Sequence, residues 1–254
     1  MTGRLAVVGL GPGDPRYLTP EAEHALANAD ALYGYDRYLA RVPMRSDQTQ
    51  HGSDNREEAA RAAAALRHAA EGANVAVVSG GDPGVFAMAA AVCEAIDQGP
   101  ELWRSLEIAI IPGITAMLAV AARIGAPLGH DFCALSLSDN LKPWPVIERR
   151  LDAAAGAGFV IALYNPISRA RPWQLGAAFE RLRQTLPGSV PIVFGRAVGR
   201  SDEQVTTATL AEADPARADM ATLIIVGSVE TRVIARPGRS ALVYTPRSLQ
   251  CASA

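Results

Sequence analysis

Short apolar runs alternate with longer amphipathic stretches in the first half of the chain. Three runs, Leu5–Val8, Val75–Ser79 and Leu106–Ile111, are rich in valine and isoleucine, which is typical of strands buried in a parallel sheet. The stretches between them carry apolar residues at helical spacing, and the first helix is predicted to begin at Thr19-Pro20-Glu21 with Thr19 as its N-cap. The alternation predicts a parallel sheet with crossover helices. The polar stretch 41–52 shows neither period and is predicted to be a loop.

The second half repeats the pattern with strands that follow one another more closely. Strands are predicted at 132–137, 159–164, 192–197, 205–210, 223–226 and 241–244, with helices at 143–155 and 172–186. Closely spaced late strands favour a mixed sheet. We therefore expect an α/β protein of two lobes, 1–125 and 126–254, with an active site in the cleft between them.

Composition narrows the function classes. Of the 254 residues 49% are hydrophobic, and the net charge of −2 comes without a basic stripe, so a nucleic-acid partner is not expected. The three cysteines match neither a zinc motif nor a disulfide framework, and no metal site is expected. No membrane-spanning run and no signal peptide are recognised, so the predicted location is cytoplasmic.

Glycine-rich segments follow several of the predicted strands. They are GLGPGDP (9–15), SGGDPGVF (79–86), PGITA (112–116), YNPISRARPW (164–173) and GRAVGR (195–200). Ligands of open α/β sheets bind at such strand ends. The first segment is not a dinucleotide fingerprint, because G-x-G-x-x-G would place glycine where Asp14 stands, and a carboxylate there would repel a pyrophosphate.

These segments, with APLGHDFCALSLSD (126–139) and FVIALYNPISRARPWQL (159–175), resemble the tetrapyrrole methylases of corrin synthesis over most of the chain. The resemblance implies the class III methyltransferase fold, a homodimer, and S-adenosylmethionine as methyl donor, with S-adenosylhomocysteine as product. The activity it implies is methylation at C17 of precorrin-3B, accompanied by ring contraction to precorrin-4.

The resemblance also implies site residues. The donor would contact Gly81, Asp82, Pro83, Val85, Phe86, Thr115, Ala116, Tyr164 and Asn165, followed by Ala197, Thr222 and Leu223. The tetrapyrrole would face Gly11, Pro12, Gly13, Asp14 and Arg171.

Elementary chemistry agrees with this donor. A sulfonium is a fixed positive charge, so Asp82 beside glycines suits its polar half, while Val85 and Phe86 suit its adenine. A phosphate ligand would call for lysine, arginine or helix amides instead. The substrate carries many carboxylates, for which arginine is the natural partner. Candidate arginines in or beside the loops are Arg37, Arg45, Arg169, Arg171 and Arg200.

Ring contraction requires proton handling. The candidates are His130, Asp131, Ser138 and Asp139, and Asp14 could orient a pyrrole nitrogen or accept a proton. Three alternatives stay open: the same step on a cobalt-containing substrate, a nucleotide-dependent oxidoreductase on a doubly wound sheet, and a non-enzymatic tetrapyrrole or nucleoside carrier.

Overall fold

A computed structural model describes residues 3–54, 57–168 and 170–248. The chain divides into two compact units, Met1–Thr115 and Ala116–Ala254. The described residues of the first unit form five strands and four α-helices: β1 (Arg4–Gly9), α1 (Pro20–Asn28), β2 (Ala31–Tyr35), α2 (Asp36–Leu39), β3 (Thr49–Ser53), α3 (Glu58–Ala70), β4 (Asn74–Ser79), α4 (Met88–Gln98) and β5 (Glu107–Ile111).

The strands of the first unit form one parallel sheet in the order β3-β2-β4-β1-β5. Alternate residues of β1 point to opposite faces. Leu5 and Val7 pack with α3 and α4, whereas Ala6 and Val8 pack with α1 on the other face. Burial on both faces explains why the strand is continuously apolar.

The predicted start of α1 is confirmed. Thr19 Oγ1 accepts the backbone N–H of Ala22 at 3.1 Å, and Pro20 occupies the first helical position, where its missing N–H is not needed. The predicted loop at 41–52 is wrong in its last part, because Thr49–Ser53 forms strand β3. This strand lies at the edge of the sheet beside β2 and is largely exposed, so its side chains are polar and give no apolar period.

The second unit begins with α5 and contains three helices and eight strands among its described residues: α5 (Ala116–Ile124), β6 (Gly125–Ala126), β7 (Phe132–Ser136), α6 (Trp144–Gly156), β8 (Val160–Tyr164), α7 (Gln174–Leu182), β9 (Pro191–Arg196), β10 (Gln204–Thr209), β11 (Thr222–Val226), β12 (Arg232–Arg236) and β13 (Arg239–Tyr244). The predicted division into lobes 1–125 and 126–254 places α5 in the first lobe, and that division stays a prediction.

The main sheet of the second unit has the order β10-β9-β11-β8-β7. Only β7 and β8 are parallel neighbours, and the other three pairs are antiparallel, so the predicted mixed sheet is confirmed. The sequence analysis did not predict the second sheet, β12-β13-β6, and missed both β6 and β12. The expected α/β fold class, with a parallel first sheet and a mixed later one, is confirmed.

Helices cover both faces of the main sheet in the second unit. Leu151 of α6 and Phe179 of α7 belong to the same buried cluster as Ile161 of β8. On the opposite face α5 packs so closely that a Cβ at Gly195 would collide with the side chain of Val120. Glycine at this position of β9 therefore sets the depth at which α5 lies.

Candidate functional site

Three of the predicted glycine loops follow β4, β1 and β5, which are adjacent parallel strands of the first unit. Gly11 and Gly81 exchange two backbone hydrogen bonds of 3.1 and 3.0 Å. A Cβ at Gly9 would lie 2.7 Å from the nitrogen of Gly113, and one at Gly113 would collide with the carbonyl oxygen of Gly81. The three loops thus pack backbone against backbone, which only glycine permits. Pro12 and Gly13 complete the turn that follows Gly11.

Asp82 ties two of these loops together. Its Oδ1 accepts the N–H of Gly84 at 2.8 Å, and its Oδ2 accepts the N–H of Gly113 at 3.1 Å. The carboxylate therefore joins the loop after β4 to the loop after β5. The predicted contact of Asp82 with a donor stays a prediction, and this geometry adds a positioning role.

The other predicted residues of the loop after β4 lie beside Asp82. The Val85 N–H donates to the Asp82 carbonyl at 3.3 Å, and the buried Pro83 accepts from the Ala89 N–H at 2.9 Å, near the start of α4. Phe86 keeps half of its surface exposed. Thr115, at the end of the first unit, is buried.

Arg41 is a residue that the sequence analysis missed. Its Nη2 donates to the carbonyl oxygens of Leu10 at 2.8 Å, Gly11 at 3.1 Å and Gly13 at 3.2 Å, so one guanidinium holds the whole turn after β1. Nothing in the sequence distinguished Arg41 from the other arginines of the chain.

Asp14 caps a short 3-10 turn, Pro15–Tyr17. Its Oδ1 accepts the N–H of Arg16 at 2.9 Å, and its Oδ2 lies 3.4 Å from the Arg16 guanidinium. The side chain keeps 41% of its surface exposed, so the carboxylate can still be reached. Its catalytic role stays a prediction.

Three non-glycine residues in the described part of the chain adopt a left-handed backbone: Phe86 (φ 52°), Asn165 (φ 50°) and Ala197 (φ 48°). All three belong to the predicted donor-binding set. Asn165 and Ala197 directly follow β8 and β9, and Phe86 lies in the loop between β4 and α4. Left-handed backbone is unfavourable for residues with a Cβ, and such strain concentrates at ligand sites. Its coincidence with the predicted residues is the strongest geometric support for that set.

The carboxyl ends of β7, β8 and β9 lie at one edge of the main sheet in the second unit, because β11 runs antiparallel to both β8 and β9. Asn165 Nδ2 donates to Ser136 Oγ at 3.0 Å across the first two strand ends. The Tyr164 hydroxyl accepts the N–H of Met117 at 3.1 Å, in the first turn of the helix that begins at Ala116.

The remaining donor-binding candidates lie at the same edge. The N–H of Ala197 donates to the Ala221 carbonyl at 2.9 Å, directly before Thr222 and Leu223 at the start of β11. The hydroxyl of Thr222 donates to Asp219 Oδ1 at 2.8 Å. The structure thus brings the predicted residues of the second unit together.

Asp139 and Arg171, predicted as a catalytic and a substrate-binding residue, form an ion pair. Asp139 Oδ1 accepts from Arg171 Nη1 at 2.6 Å and from Nε2 of the buried Gln174 at 2.8 Å. Arg171 also donates to Asn140 Oδ1. The neighbouring Ser138 donates its N–H to Ser136 Oγ. Asp139 therefore orients Arg171.

His130 and Asp131 lie elsewhere. They precede β7, whereas Ser138 and Asp139 follow it, and the five residues of that strand separate the two pairs by about 17 Å. His130 Nδ1 accepts the N–H of Asp131 at 2.7 Å. The structure does not bring the predicted catalytic residues into one group, and the role of His130 stays a prediction.

Of the other candidate arginines, Arg37 lies in α2, and Arg200 donates its N–H to the Ala197 carbonyl at 3.0 Å. Arg45 pairs with Asp47 on an exposed loop, and Arg169 lies outside the described residues. Among the described residues no cluster of three or more histidine, cysteine or acidic side chains could hold a metal ion. In the same part of the chain, every helix is too short or too polar to cross a membrane.

Comparison with known proteins places these features in context. The family model of the tetrapyrrole (corrin/porphyrin) methylases matches residues 4–214. A precorrin-3B C(17)-methyltransferase of Sinorhizobium sp is 66% identical over 247 residues, which cover 97% of each chain. A probable cobalt-factor III C(17)-methyltransferase of Salmonella typhimurium is 40% identical over 244 residues, which cover 96% of this chain and 98% of the relative.

Solved structures show the same architecture. The crystal structure of the methyltransferase CobJ matches with a TM-score of 0.92 at 49% identity, covering 96% of this chain and 100% of that one. The uroporphyrin-III C-methyl transferase of Thermus thermophilus, complexed with S-adenyl homocysteine, matches with a TM-score of 0.66 at 24% identity, covering 89% and 97% of the two chains. The second likeness shows the fold alone.

Proposed function

Because the chain belongs to the tetrapyrrole (corrin/porphyrin) methylases, as its motifs predicted, we propose that it transfers a methyl group from S-adenosylmethionine to C17 of precorrin-3B and contracts the ring to give precorrin-4. The observation that carries this proposal is the 66% identity to a precorrin-3B C(17)-methyltransferase over 97% of both chains. The oxidoreductase and carrier alternatives receive no such support.

The loop chemistry fits a sulfonium donor. The loops after β1 and β4 carry the carboxylates Asp14 and Asp82. The guanidinium of Arg41 donates to carbonyls of the first loop, and that of Arg16 lies beside Asp14. These two carboxylates would repel a phosphate group. Phe86, which is half exposed, is the aromatic side chain that we propose for contact with the adenine ring.

When bound, S-adenosylmethionine supplies an electrophilic methyl group with a good leaving group. The residues of this chain then have to orient the donor and the tetrapyrrole without bonding covalently to either. They must keep the accepting carbon about 3 Å from the methyl group. We propose that the interlocked glycine loops and the three residues with left-handed backbone position the donor. The proposed donor-binding residues are Gly81, Asp82, Pro83, Val85, Phe86, Thr115, Ala116, Tyr164, Asn165, Ala197, Thr222 and Leu223.

For the tetrapyrrole we propose the turn Gly11–Asp14 and the guanidinium of Arg171. Asp139 accepts a hydrogen bond from that guanidinium, so we assign to Asp139 the role of orienting Arg171. Asp14 is the more accessible carboxylate for a pyrrole N–H or for a proton in ring contraction. Ser138, at the same strand end as Asp139, is the second candidate for proton handling.

The same step on a cobalt-containing substrate is the second candidate function. It is favoured by the 40% identity to the probable cobalt-factor III C(17)-methyltransferase. The metal would enter as part of the substrate. The homodimer, the cytoplasmic location and a donor site between lobes 1–125 and 126–254 also remain proposals, which gel filtration, fractionation and a crystal of the donor complex would test.

One experiment tests the function and the substrate form together. The purified protein is incubated with labelled S-adenosylmethionine and precorrin-3B, or with the cobalt-containing form, and the product is identified by mass and absorbance. Labelled methyl incorporation with a change to the contracted chromophore is expected. Thermal stabilisation by NAD but not by S-adenosylmethionine would refute the assignment.

The variant His130→Ala tests the proposed role of His130 in proton handling. It should bind S-adenosylmethionine normally and turn over more slowly, and normal turnover would remove His130 from the mechanism.

A further inference from the structure

The helices α6 and α7 are preceded by matched sequences. Lys142-Pro143-Trp144 leads into α6, and Arg171-Pro172-Trp173 leads into α7. Each therefore places a cation two residues before a tryptophan, after the carboxyl ends of the parallel neighbours β7 and β8. Lys142 is the only lysine of the chain. None of the roles described above uses Lys142 or the two tryptophans.

The two tryptophans are in contact. The ring centroids of Trp144 and Trp173 lie 4.7 Å apart with the planes at 72°, an edge-to-face pair. Trp173 keeps 45% of its surface exposed, and the neighbouring Leu141 is almost fully exposed. An accessible apolar surface therefore lies beside the two cations.

Both cations bind adjacent residues of one loop. Lys142 Nζ donates to the Ser138 carbonyl oxygen at 3.2 Å, and Arg171 Nη1 donates to Asp139 Oδ1. Among the described residues, no carboxylate oxygen lies within ion-pair distance of the Lys142 ammonium. The carboxylate of Asp139 is engaged by Arg171 and Gln174. Among the described residues Lys142 therefore has a carbonyl oxygen but no carboxylate as partner, so its positive charge can be balanced by an anion.

We propose that Lys142 and Arg171 together bind a side-chain carboxylate of the tetrapyrrole, with the edge of the macrocycle lying against Trp144 and Trp173. A flat conjugated ring that carries carboxylates at its periphery has the two features this surface matches, an apolar edge and an anion. The proposal rests on the proposed function and adds a substrate-binding residue, Lys142, to its site.

The pKa of Lys142 can be measured from its NMR resonance, and the proposal predicts how substrate changes it. Burial lowers the pKa of Lys142, as does the positive charge of Arg150 on α6, while Asp139 opposes them. A bound carboxylate would favour the charged form and raise this pKa. Since the chain has one lysine, reductive methylation with ¹³C-formaldehyde gives a single lysine resonance besides that of the N-terminal amine.

The experiment compares kinetics and this resonance. Lys142→Ala should raise KM for precorrin-3B about tenfold, or about 1.4 kcal/mol, with kcat changed less than about twofold. Arg149→Ala removes the same charge from an exposed position on α6 and should leave KM unchanged. Lys142→Arg should restore most of the affinity. The Lys142 resonance should titrate at higher pH in the complex with precorrin-3B and S-adenosylhomocysteine than in the free protein.

The outcomes are distinguishable. A KM for Lys142→Ala that equals that of Arg149→Ala, or a lysine titration unmoved by precorrin-3B, would overturn the carboxylate site in an enzyme that remains active. Absence of methyl transfer by the unmodified protein would overturn the proposed function, and this site with it.

Discussion

Replacing Asp82 with alanine tests whether the loops after β4 and β5 act as one unit. The carboxylate accepts two backbone N–H groups, from Gly84 at 2.8 Å and from Gly113 at 3.1 Å. Hydrogen bonds to charged groups contribute about 1.5–3 kcal/mol each, and the Gly84 bond is exposed and therefore worth less. We expect Asp82→Ala to cost about 2 kcal/mol of stability.

That loss corresponds to a Tm decrease of about 4–8 °C for a chain of this size. Affinity for S-adenosylmethionine, measured by calorimetry, should fall as well, because the loop that carries Phe86 is released from the loop after β5. Asp82→Asn keeps one acceptor oxygen but turns an N–H toward a backbone donor, so it should lose about half as much stability.

Asp97→Ala is the matched control, since it removes the same charge from an exposed position on α4 in the same unit. It should change stability by less than about 0.5 kcal/mol. Equal Tm values and equal donor affinities for Asp82→Ala and Asp97→Ala would refute the reasoning that this carboxylate joins the two loops.

Further predictions concern the backbone and the ion pairs. Arg41→Gln should lower kcat/KM for the tetrapyrrole at least about tenfold, because three loop carbonyls lose their donor, while calorimetry shows little change in donor affinity. Ala197→Gly should raise stability by about 1 kcal/mol in thermal unfolding, since glycine adopts a φ of 48° without strain. The hydrogen bond from Arg181 lowers the pKa of Asp152, so this pair stabilises the fold above pH 4 and its contribution disappears as the pH falls through the lowered pKa. Asp152→Asn should therefore flatten the acid limb of a denaturation series between pH 6 and 2, by less than about 1 kcal/mol because the pair is exposed.

The strands that were predicted well are those whose burial leaves a mark on composition. Leu5–Val8 and Val75–Ser79 are covered on both faces, so every position had to be apolar or small. The strands that were missed, β3, β6 and β12, lie at sheet edges and are largely exposed. The backbone hydrogen bonds of these strands form whichever side chains are present. Their sequences therefore lack the pattern of apolar residues that predicts a strand.

The candidate site divides in the same way. The glycines could be found because close backbone approach restricts residue type, as at Gly9 and Gly113, whereas the left-handed residues were identified from the family resemblance. Side-chain partnerships could not be found, because they depend on tertiary distance. Arg41 reaches a loop about thirty residues before it, and His130 lies one strand length from Ser138 despite standing near it in sequence.

The charges in the two units match the two proposed ligands. In the first unit the glycine loops bring backbone close and add carboxylates, Asp14 and Asp82, which favour a cation. In the second unit the loops after β7 and β8 carry two cations, of which Arg171 pairs with Asp139 and Lys142 binds a carbonyl oxygen, so an anion is favoured there. A sulfonium donor and a polycarboxylate acceptor have these opposite signs. A protein that bound two anions, such as a nucleotide and a polycarboxylate, would need cations directed at the ligand in the first set of loops as well. There the guanidinium of Arg41 is directed at the loop's own carbonyls, and that of Arg16 lies beside Asp14.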